Sequence, residues 1–369
     1  MREEETLFAI ALRQCPLIGD MIFRKLTAEI GSAKEVWHLS RSGLQNITGI
    51  GKKISLEIGN KKHLDFAEKE ISFCTKNNIR INVRHLGDLP ALLDECEDAP
   101  AILYQKGTLE EVQKTVSIVG TRNLSPYGKQ FIHQFLESLI GYPVTTVSGL
   151  ALGADAEVHH ESLQQNMRTV GVLAHGFHTL YPARNRRLAE EILEAGGALL
   201  TEFNSSQKPD RENFIQRNRI IAGLSPATIV VETAFGGGSI STATFANNYN
   251  REVYALPGRI DDKYSQGCNH LIFQNKAAVI STLPNLLDQL GFSKSASKME
   301  ELFPVSEIKI LLLPEQQVIY DVLDKKLPSS LDEISEKLNL PTYKILPHLL
   351  QLEISGCVKA FSGRQYLAL

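Results

Sequence analysis

The amino-acid sequence predicts an α/β fold centred on a doubly wound, Rossmann-like parallel sheet, and two observations carry that reading. Between Val116 and Leu256, short β-rich runs alternate with helical runs of about ten residues, the pattern of parallel strands joined by right-handed crossovers. Five short segments, most of them glycine-rich turns, then fall where those strands would end: Ser117 to Arg122, Val147 to Asp155, His175 to Asn185, Phe214 to Arg219 and Gly236 to Thr242. Open α/β sheets collect ligands at the carboxyl ends of strands, so the five segments are expected to face one crevice.

Taken in order, residues 1–70 read as a small all-α domain of the SAM or helix-hairpin-helix kind. Apolar positions recur at helical spacing from residue 6, around two similar turns, Pro16-Leu17-Ile18-Gly19 and Thr48-Gly49-Ile50-Gly51-Lys52-Lys53. The second turn has two readings: its glycines offer backbone N–H groups to a phosphate, or they only let two helices pack closely. Residues 71–290 form the Rossmann-like core, extended at its N-terminal side by strands expected at Ile79 to Val83 and Ala101 to Tyr104. Strands follow at Val116 to Val119, Val144 to Val147, Thr169 to Leu173, Ala198 to Leu200, Ala227 to Val231 and Glu252 to Leu256. Helices between them are expected at Pro126 to Ile140, Ala154 to Gln165, Ala183 to Glu194, Phe214 to Ala222 and Ser239 to Asn250.

The polar segment 291–307 reads as a linker. In 308–369, helices at Pro314 to Leu323, Ser330 to Leu338 and Thr342 to Leu352 precede a hairpin over Gly356 to Leu367, the outline of a winged helix. Ser330 and Glu333 have capping-box spacing.

With 43% hydrophobic and 22% charged content, the 369-residue chain can bury a substantial core. A formal charge of -3 excludes a uniformly basic coat, so any polyanion must be held by a local patch. The 5 cysteines (Cys15, Cys74, Cys96, Cys268, Cys357) are odd in number and lack a Cys-x-x-Cys pair, which disfavours a disulfide scaffold or zinc site and fits a reducing cytoplasm. The start, Met1 to Glu5, is acidic where a secretory signal is basic. No apolar run approaches the roughly 20 residues of a bilayer span, so neither export nor membrane insertion is expected.

The crevice chemistry suits an anion. Gly120, Thr121 and Arg122 follow an apolar strand directly, so backbone N–H groups and a guanidinium converge at its end; Ser148 and Gly149 have the same placement after the next strand. Arg184-Asn185 and Arg217-Asn218-Arg219 add guanidinium forks suited to phosphate oxygens, unless they pair with Glu190, Glu191, Glu202 or Glu212 on a solvated face. Phe214 near Arg217 and Arg219 is either a core ring or a surface on which an unpaired base stacks while its phosphates are held.

A nucleotide-binding hydrolase is the rival reading. Gly236 to Thr242 resembles the turn of phosphoribohydrolases, but the downstream stretch Thr242-Ala243-Thr244-Phe245-Ala246-Asn247 lacks their glutamate. His159, His160, His175 and His178 have no convincing metal-ligand spacing, so no metal is expected. Asp155, at a helix start, is expected to cap N–H groups. No Walker A or full Gly-x-Gly-x-x-Gly sequence is present, and no cofactor is expected. A third reading sends Thr342 to Leu352 into the major groove of a duplex, though Lys344 and His348 are thin equipment for base edges and a partner-docking role fits better.

These motifs together resemble the DNA-processing protein A family, DprA or Smf. The resemblance rests on Val119-Gly120-Thr121-Arg122 with Tyr127-Gly128, Ser148 to Ala151 with Gly153 and Asp155, Tyr181-Pro182 with Asn185, Glu202, Phe214, Arg217 to Ser225, Val230 to Glu232, Thr242-Ala243, Pro257-Gly258, and Gly267 with Asn269. It implies a non-enzymatic, cytoplasmic, dimeric protein that binds and protects single-stranded DNA and helps load the RecA recombinase in natural transformation. Implied strand contacts are Arg122, Arg211 and Phe214, with Ser148, Gly149, Arg217, Asn218 and Arg219 around them; Lys208 is an alternative to Arg211. Gly120, Thr121, Arg184, Asn185, Gly237, Gly238, Ser239 and Thr242 complete the expected interface. Asn269, His270, Leu271, Ile272 and Phe273 are expected near a two-fold contact. Two departures, Ala174 for a usual glycine and Gly237-Gly238 for a serine-glycine pair, imply a differently shaped crevice.

Overall fold

The computed structural model describes residues 2–109, 114–292, 313–324, 328–355, 357–361 and 365–368. The chain divides into two compact units, Met1–Ser293 and Lys294–Leu369. Beyond Phe292 the expected linker lies outside the described residues, as does the expected turn at Ser362-Gly363.

The first unit opens with helices α1 (Arg2–Gln14), α2 (Asp20–Ile30), α3 (Ala33–His38), α4 (Arg41–Asn46), α5 (Lys52–Glu57) and α6 (Lys61–Lys76). Local polar groups set their starts: Ser32, Ser40 and Asn60 accept the N–H groups of Glu35, Gly43 and Lys62 at the N-termini of α3, α4 and α6. Then come β1 (Ile79–Val83), the short α7 (Ala91–Asp94) and β2 (Ile102–Gly107). Phe8, Leu12, Phe23, Leu26 and Trp37 share one apolar core with Ile79, Val83, Ile102 and Tyr104, so the helices are seated on the edge of the sheet. At the second hairpin turn, a Cβ on Gly49 or Gly51 would meet nothing within 4 Å. Close helix packing is therefore not what these glycines provide; Gly49 instead adopts φ +90°.

Strand and helix then alternate through β3 (Lys114–Val119), α8 (Pro126–Ser138), β4 (Val144–Ser148), α9 (Ala154–Gln164), β5 (Thr169–Val172), α10 (Arg186–Glu194) and β6 (Ala198–Thr201). They continue through α11 (Arg211–Gly223), β7 (Ala227–Val230), α12 (Gly238–Asn248), β8 (Glu252–Ala255), α13 (Gln266–Phe273), β9 (Ala278–Val279) and α14 (Leu283–Gln289). Among the described residues the sheet has nine strands in the order β1-β2-β6-β5-β4-β3-β7-β8-β9. From β6 to β9 every pairing is parallel; β1 and β2 add antiparallel to the β6 edge. The helix expected at Ala183 begins instead as a 3-10 turn over Ala183–Asn185, with α10 starting at Arg186.

Both faces of the central parallel strands β3 to β7 are buried over most of their length, which is why they read as apolar runs. Val119, Val147, Val172, Leu200 and Val230 pack towards Ile220, Ile221, Ala243 and Ala246 of α11 and α12. Val116, Ile118, Val144, Ile229 and Val231 pack towards Phe131, Ile132, Phe135 and Val158 of α8 and α9. The chain runs outward from β3 through β4, β5 and β6, then returns beside β3 as β7. That reversal makes the carboxyl ends of β3 and β7 the switch point of the sheet.

The second unit contains α15 (Pro314–Val322), β10 (Ser329–Ser330), α16 (Leu331–Leu338), α17 (Thr342–Ile354), β11 (Val358–Phe361) and β12 (Gln365–Ala368), a winged helix. Its sheet order is β10-β12-β11, and Ile319, Ile334, Ile345, Leu349 and Leu352 form its core with Val358 and Tyr366. The capping box is present: the Ser330 N–H donates to Glu333 Oε2 at 2.9 Å and the Glu333 N–H to Ser330 Oγ at 3.3 Å.

Candidate functional site

A cleft of about 320 Å³ opens at the switch point. Gly120, Thr121, Arg122 and Asn123 line it after β3, Thr233 and Ala234 after β7, Phe214, Arg217, Asn218 and Ile221 from α11, and Gly237, Gly238, Ser239 and Thr242 from the start of α12. Ala151 and Asp155 contribute from the turn before α9 and its first residues. Segments far apart in sequence meet here because each leaves the sheet at the same rim.

Gly153 fixes how the first two turns meet. It has φ +77°, and a Cβ there would lie 2.4 Å from the carbonyl oxygen of Thr121 and 2.5 Å from the backbone of Arg122. Held in this way, Arg122 projects an exposed guanidinium over Phe214, 5.3 Å from the ring centroid. Among the described residues no carboxylate forms an ion pair with Arg122. Phe214 also meets the Tyr181 ring edge-on, at 5.8 Å between centroids and 69° between planes.

Beneath them Arg217 is a buried cation, its Nη1 donating to the carbonyl oxygens of Gly149 and Val172 and its guanidinium 5.8 Å from the Phe214 centroid. Burial pushes Arg217 down to about 10, against the opposing pull of Asp155. Burial likewise raises the Asp155 carboxyl, with Arg217 the main opposing influence. Asp155 Oδ2 accepts the N–H of Ala151 at 3.3 Å. It therefore braces the preceding turn; the expectation that it caps its own helix is corrected. Gly149 must lack a side chain because a Cβ would fall 2.6 Å from both Arg217 Nη1 and Asp155 Oδ2. Ser148 is buried and donates to the Ile118 carbonyl at 2.7 Å.

The eleven-residue α12 directs its N-terminus at the cleft, with Gly237 as N-cap and Asn218 Nδ2 donating to Ser241 Oγ at 2.8 Å beside it. First-turn N–H groups and the helix dipole favour negative charge there. Ser239 Oγ and Arg217 Nε, both in residues lining the cleft, are buried and lack a hydrogen-bond partner among the described residues. At Gly238 a Cβ would meet nothing within 4 Å, whereas at Gly237 it would lie 2.4 Å from Thr233 Oγ1, so a serine does not fit at 237 without movement.

Other sequence-predicted residues fall outside the cleft. Arg219 turns to the opposite side of α11, where it bonds Glu202, Asp20 and the Asp98 carbonyl, with Glu202 Oε2 at 2.5 Å and Asp20 Oδ2 at 3.1 Å. It is a buried clasp between the sheet and the N-terminal helices. Asn185 is buried and donates to the carbonyls of Leu150 and Ala151 at 2.9 and 3.2 Å. Arg184, Lys208 and Arg211 are exposed, Arg211 one turn before Phe214 on α11. On α13, Asn269 and Leu271 face inward, Asn269 bonding the backbone of Gly258 and Leu271 being buried; His270 and Ile272 are partly exposed and Phe273 is 83% exposed.

His159 is buried with Nδ1 2.7 Å from Thr169 Oγ1, His175 is buried in the loop before α10, and His133, not singled out in the sequence, pairs with Glu161. Among the described residues no group of three metal-ligating side chains is gathered. Asn123, Thr233 and Ala234 line the cleft but were not singled out in the sequence; the signal for Thr233 and Ala234 is their position just past a switch-point strand.

Comparison with known proteins gives this geometry a family. Residues 81–291 match the family model of DNA recombination-mediator protein A, and 311–364 match the DprA winged helix domain. The Smf protein of Synechocystis is 30% identical over 405 aligned positions covering 99% of both chains. DNA processing protein A from Streptococcus pneumoniae superposes with a TM-score of 0.66 at 29% identity, covering 77% of this chain and 98% of that one. DNA processing protein A from Helicobacter pylori, whose structure concerns its single-stranded DNA binding mode, gives 0.52 at 27% identity over 57% of this chain and 95% of that one. A switch-point cleft framed by glycine turns, carried on a chain matched by both family models, thus belongs to a member of the DprA/Smf family of DNA recombination mediators.

Proposed function

We propose that this protein binds single-stranded DNA across the switch-point cleft and hands it to a RecA-type recombinase. The observation that carries the reading is the placing of an exposed Arg122, without a carboxylate partner among the described residues, over Phe214 beside the N-terminus of α12. Arg122 and the first-turn N–H groups of α12 hold phosphates, and aromatic rings take bases without regard to sequence. Arg217 supplies fixed positive charge from below, while Ser148, Gly149 and Asn185 shape and brace the site. Arg184, Lys208 and Arg211 extend the contact along the rim. The likeness to the Helicobacter pylori protein supports this reading.

The protein acts without catalysis in this reading. Asp155 is the one carboxylate among the residues lining the cleft, and it is buried and engaged with Ala151, so the phosphoribohydrolase alternative lacks an accessible acid. Two copies associate through the outward side of α13, which presents Phe273, with the exposed Phe235 beside His270. The work is cytoplasmic, consistent with buried free cysteines; Cys15, Cys74 and Cys268 are each pushed up to about 12 by burial. Among the described residues no helix is long and apolar enough to cross a membrane.

The test is fluorescence anisotropy of labelled oligo-dT with wild type, Arg122→Ala and Phe214→Ala. Both substitutions should weaken binding, and duplex DNA should compete poorly. Unchanged affinity in both variants refutes the site; release of free base from nucleoside monophosphates would restore the enzymatic alternative.

A further inference from the structure

Beside Phe214, which lines the cleft, stands a second aromatic ring, Tyr181. Two guanidinium groups, of Arg122 and Arg217, already lie over the Phe214 ring at 5.3 and 5.8 Å from its centroid. Tyr181 touches Phe214 edge-on and is 47% exposed. An edge-to-face pair leaves ring surface free for a further stack.

Tyr181 is held there by a buried device. The Tyr181 N–H donates to Nε2 of His175 at 3.1 Å, which leaves Nδ1 to carry the proton and donate to the Gly176 carbonyl at 2.9 Å. The His175 carbonyl in turn accepts the Thr201 hydroxyl at 2.9 Å, tying the loop to the end of β6. Downstream, Asn185 anchors the same loop to the carbonyls of Leu150 and Ala151. A large aromatic on a loop with both ends pinned, half in solvent, has lost mobility without gaining core burial. That placement suits a ligand.

Resting on the single-strand reading above, we infer that Tyr181 is a separate stacking platform for an unpaired nucleobase next to the base or cation at Phe214, and that His175 is the positioning residue that presents it. The phosphate between the two ring positions is then within the province of Arg122, which lies over one ring of the pair. The subsite selects for planarity, not for base identity, because among the described residues no side-chain amide or carboxylate is bonded to the Tyr181 ring.

The test measures affinity of the full chain for oligo-dT and for an abasic oligonucleotide of the same length, using wild type, Tyr181→Ala, Tyr181→Phe, Phe214→Ala and the double variant Tyr181→Ala/Phe214→Ala. Tyr181→Ala should lose about 5- to 150-fold on oligo-dT, the range for one base stack, and little on the abasic probe. Tyr181→Phe should retain wild-type affinity, and the double variant should bind more weakly than Phe214→Ala alone. The inference is overturned by wild-type affinity in Tyr181→Ala, by equal losses on both probes, or by a double variant no weaker than Phe214→Ala, since Tyr181 would then only support its neighbour. Failure of the wild type to bind oligo-dT would instead overturn the single-strand reading itself.

Discussion

Arg122 and Phe214 form a cation–π pair across the switch point, one residue from the turn after β3 and the other from the first half of α11. The pair couples a charge and a ring that act on different parts of a polynucleotide, so the two should separate in a salt titration. Arg122→Ala should lower both affinity and the salt dependence, reducing the slope of log K against log salt by about 0.7 for the one phosphate lost. Phe214→Ala should lower affinity at every salt concentration and leave the slope alone.

Arg219 and Glu202 are both buried, with side chains 6% and 2% exposed. Removing one partner leaves the other charge uncompensated, so Arg219→Ala should cost about 3–5 kcal/mol of stability. At a temperature where the variant remains folded, its affinity for oligo-dT should match wild type. Denaturant unfolding beside anisotropy distinguishes this from loss of a strand contact.

Two glycines of the site should respond in opposite ways. Gly153→Ala forces a side chain into a positive-φ position and against the backbone of Thr121 and Arg122, costing about 1–3 kcal/mol for the backbone alone. Gly238→Ala meets no protein atom and should leave the melting temperature within about 2 °C of wild type. It should nevertheless weaken strand binding, because the added methyl occupies the approach to the N-terminus of α12.

Burial pushes the imidazole of His159 down from 6.5 to about 3. On acidification the unfolded chain takes up this proton first, so stability present above pH 6.5 is lost as pH falls towards 3. This one group contributes up to about 1.4 kcal/mol per pH unit in that window. His159→Asn, which keeps a partner for Thr169, should show a shallower acid limb when urea midpoints are compared at pH 6.5 and 4.5.

How far the fold was legible in the sequence follows from what surrounds each element. Strands β3 and β7 stood out because helices cover both faces and every position between Val116 and Val119, or Ala227 and Val230, is buried. The winged helix was legible from local signals such as Ser330 with Glu333, which act within one turn. Arg217 and Arg219 were not separable, since adjacent basic residues look alike until the helix is placed. Two positions at about 100° each set them on opposite faces of α11, one under the cleft and one in the clasp. Glu202, 17 residues away, is among the carboxylates named as possible partners, but the other two groups that fix Arg219, on Asp98 and Asp20, lie 121 and 199 residues away. Tyr181 is legible as part of a motif but not as a strand contact for a related reason: its loop has no periodicity, and its exposure depends on the buried His175 ring.

The immobility of Arg217 bears on how quickly and how firmly a strand is captured. Its guanidinium is clamped by two carbonyls before any ligand arrives, and the amides at the start of α12 are set in place by the helix backbone. Few rotamers are left to freeze upon capture, and most of that ordering penalty falls on the outward-facing Arg122. Such a receptor is ready-made, so its selectivity for flexible over stiff polymers arises from the guest, which alone must bend to fit.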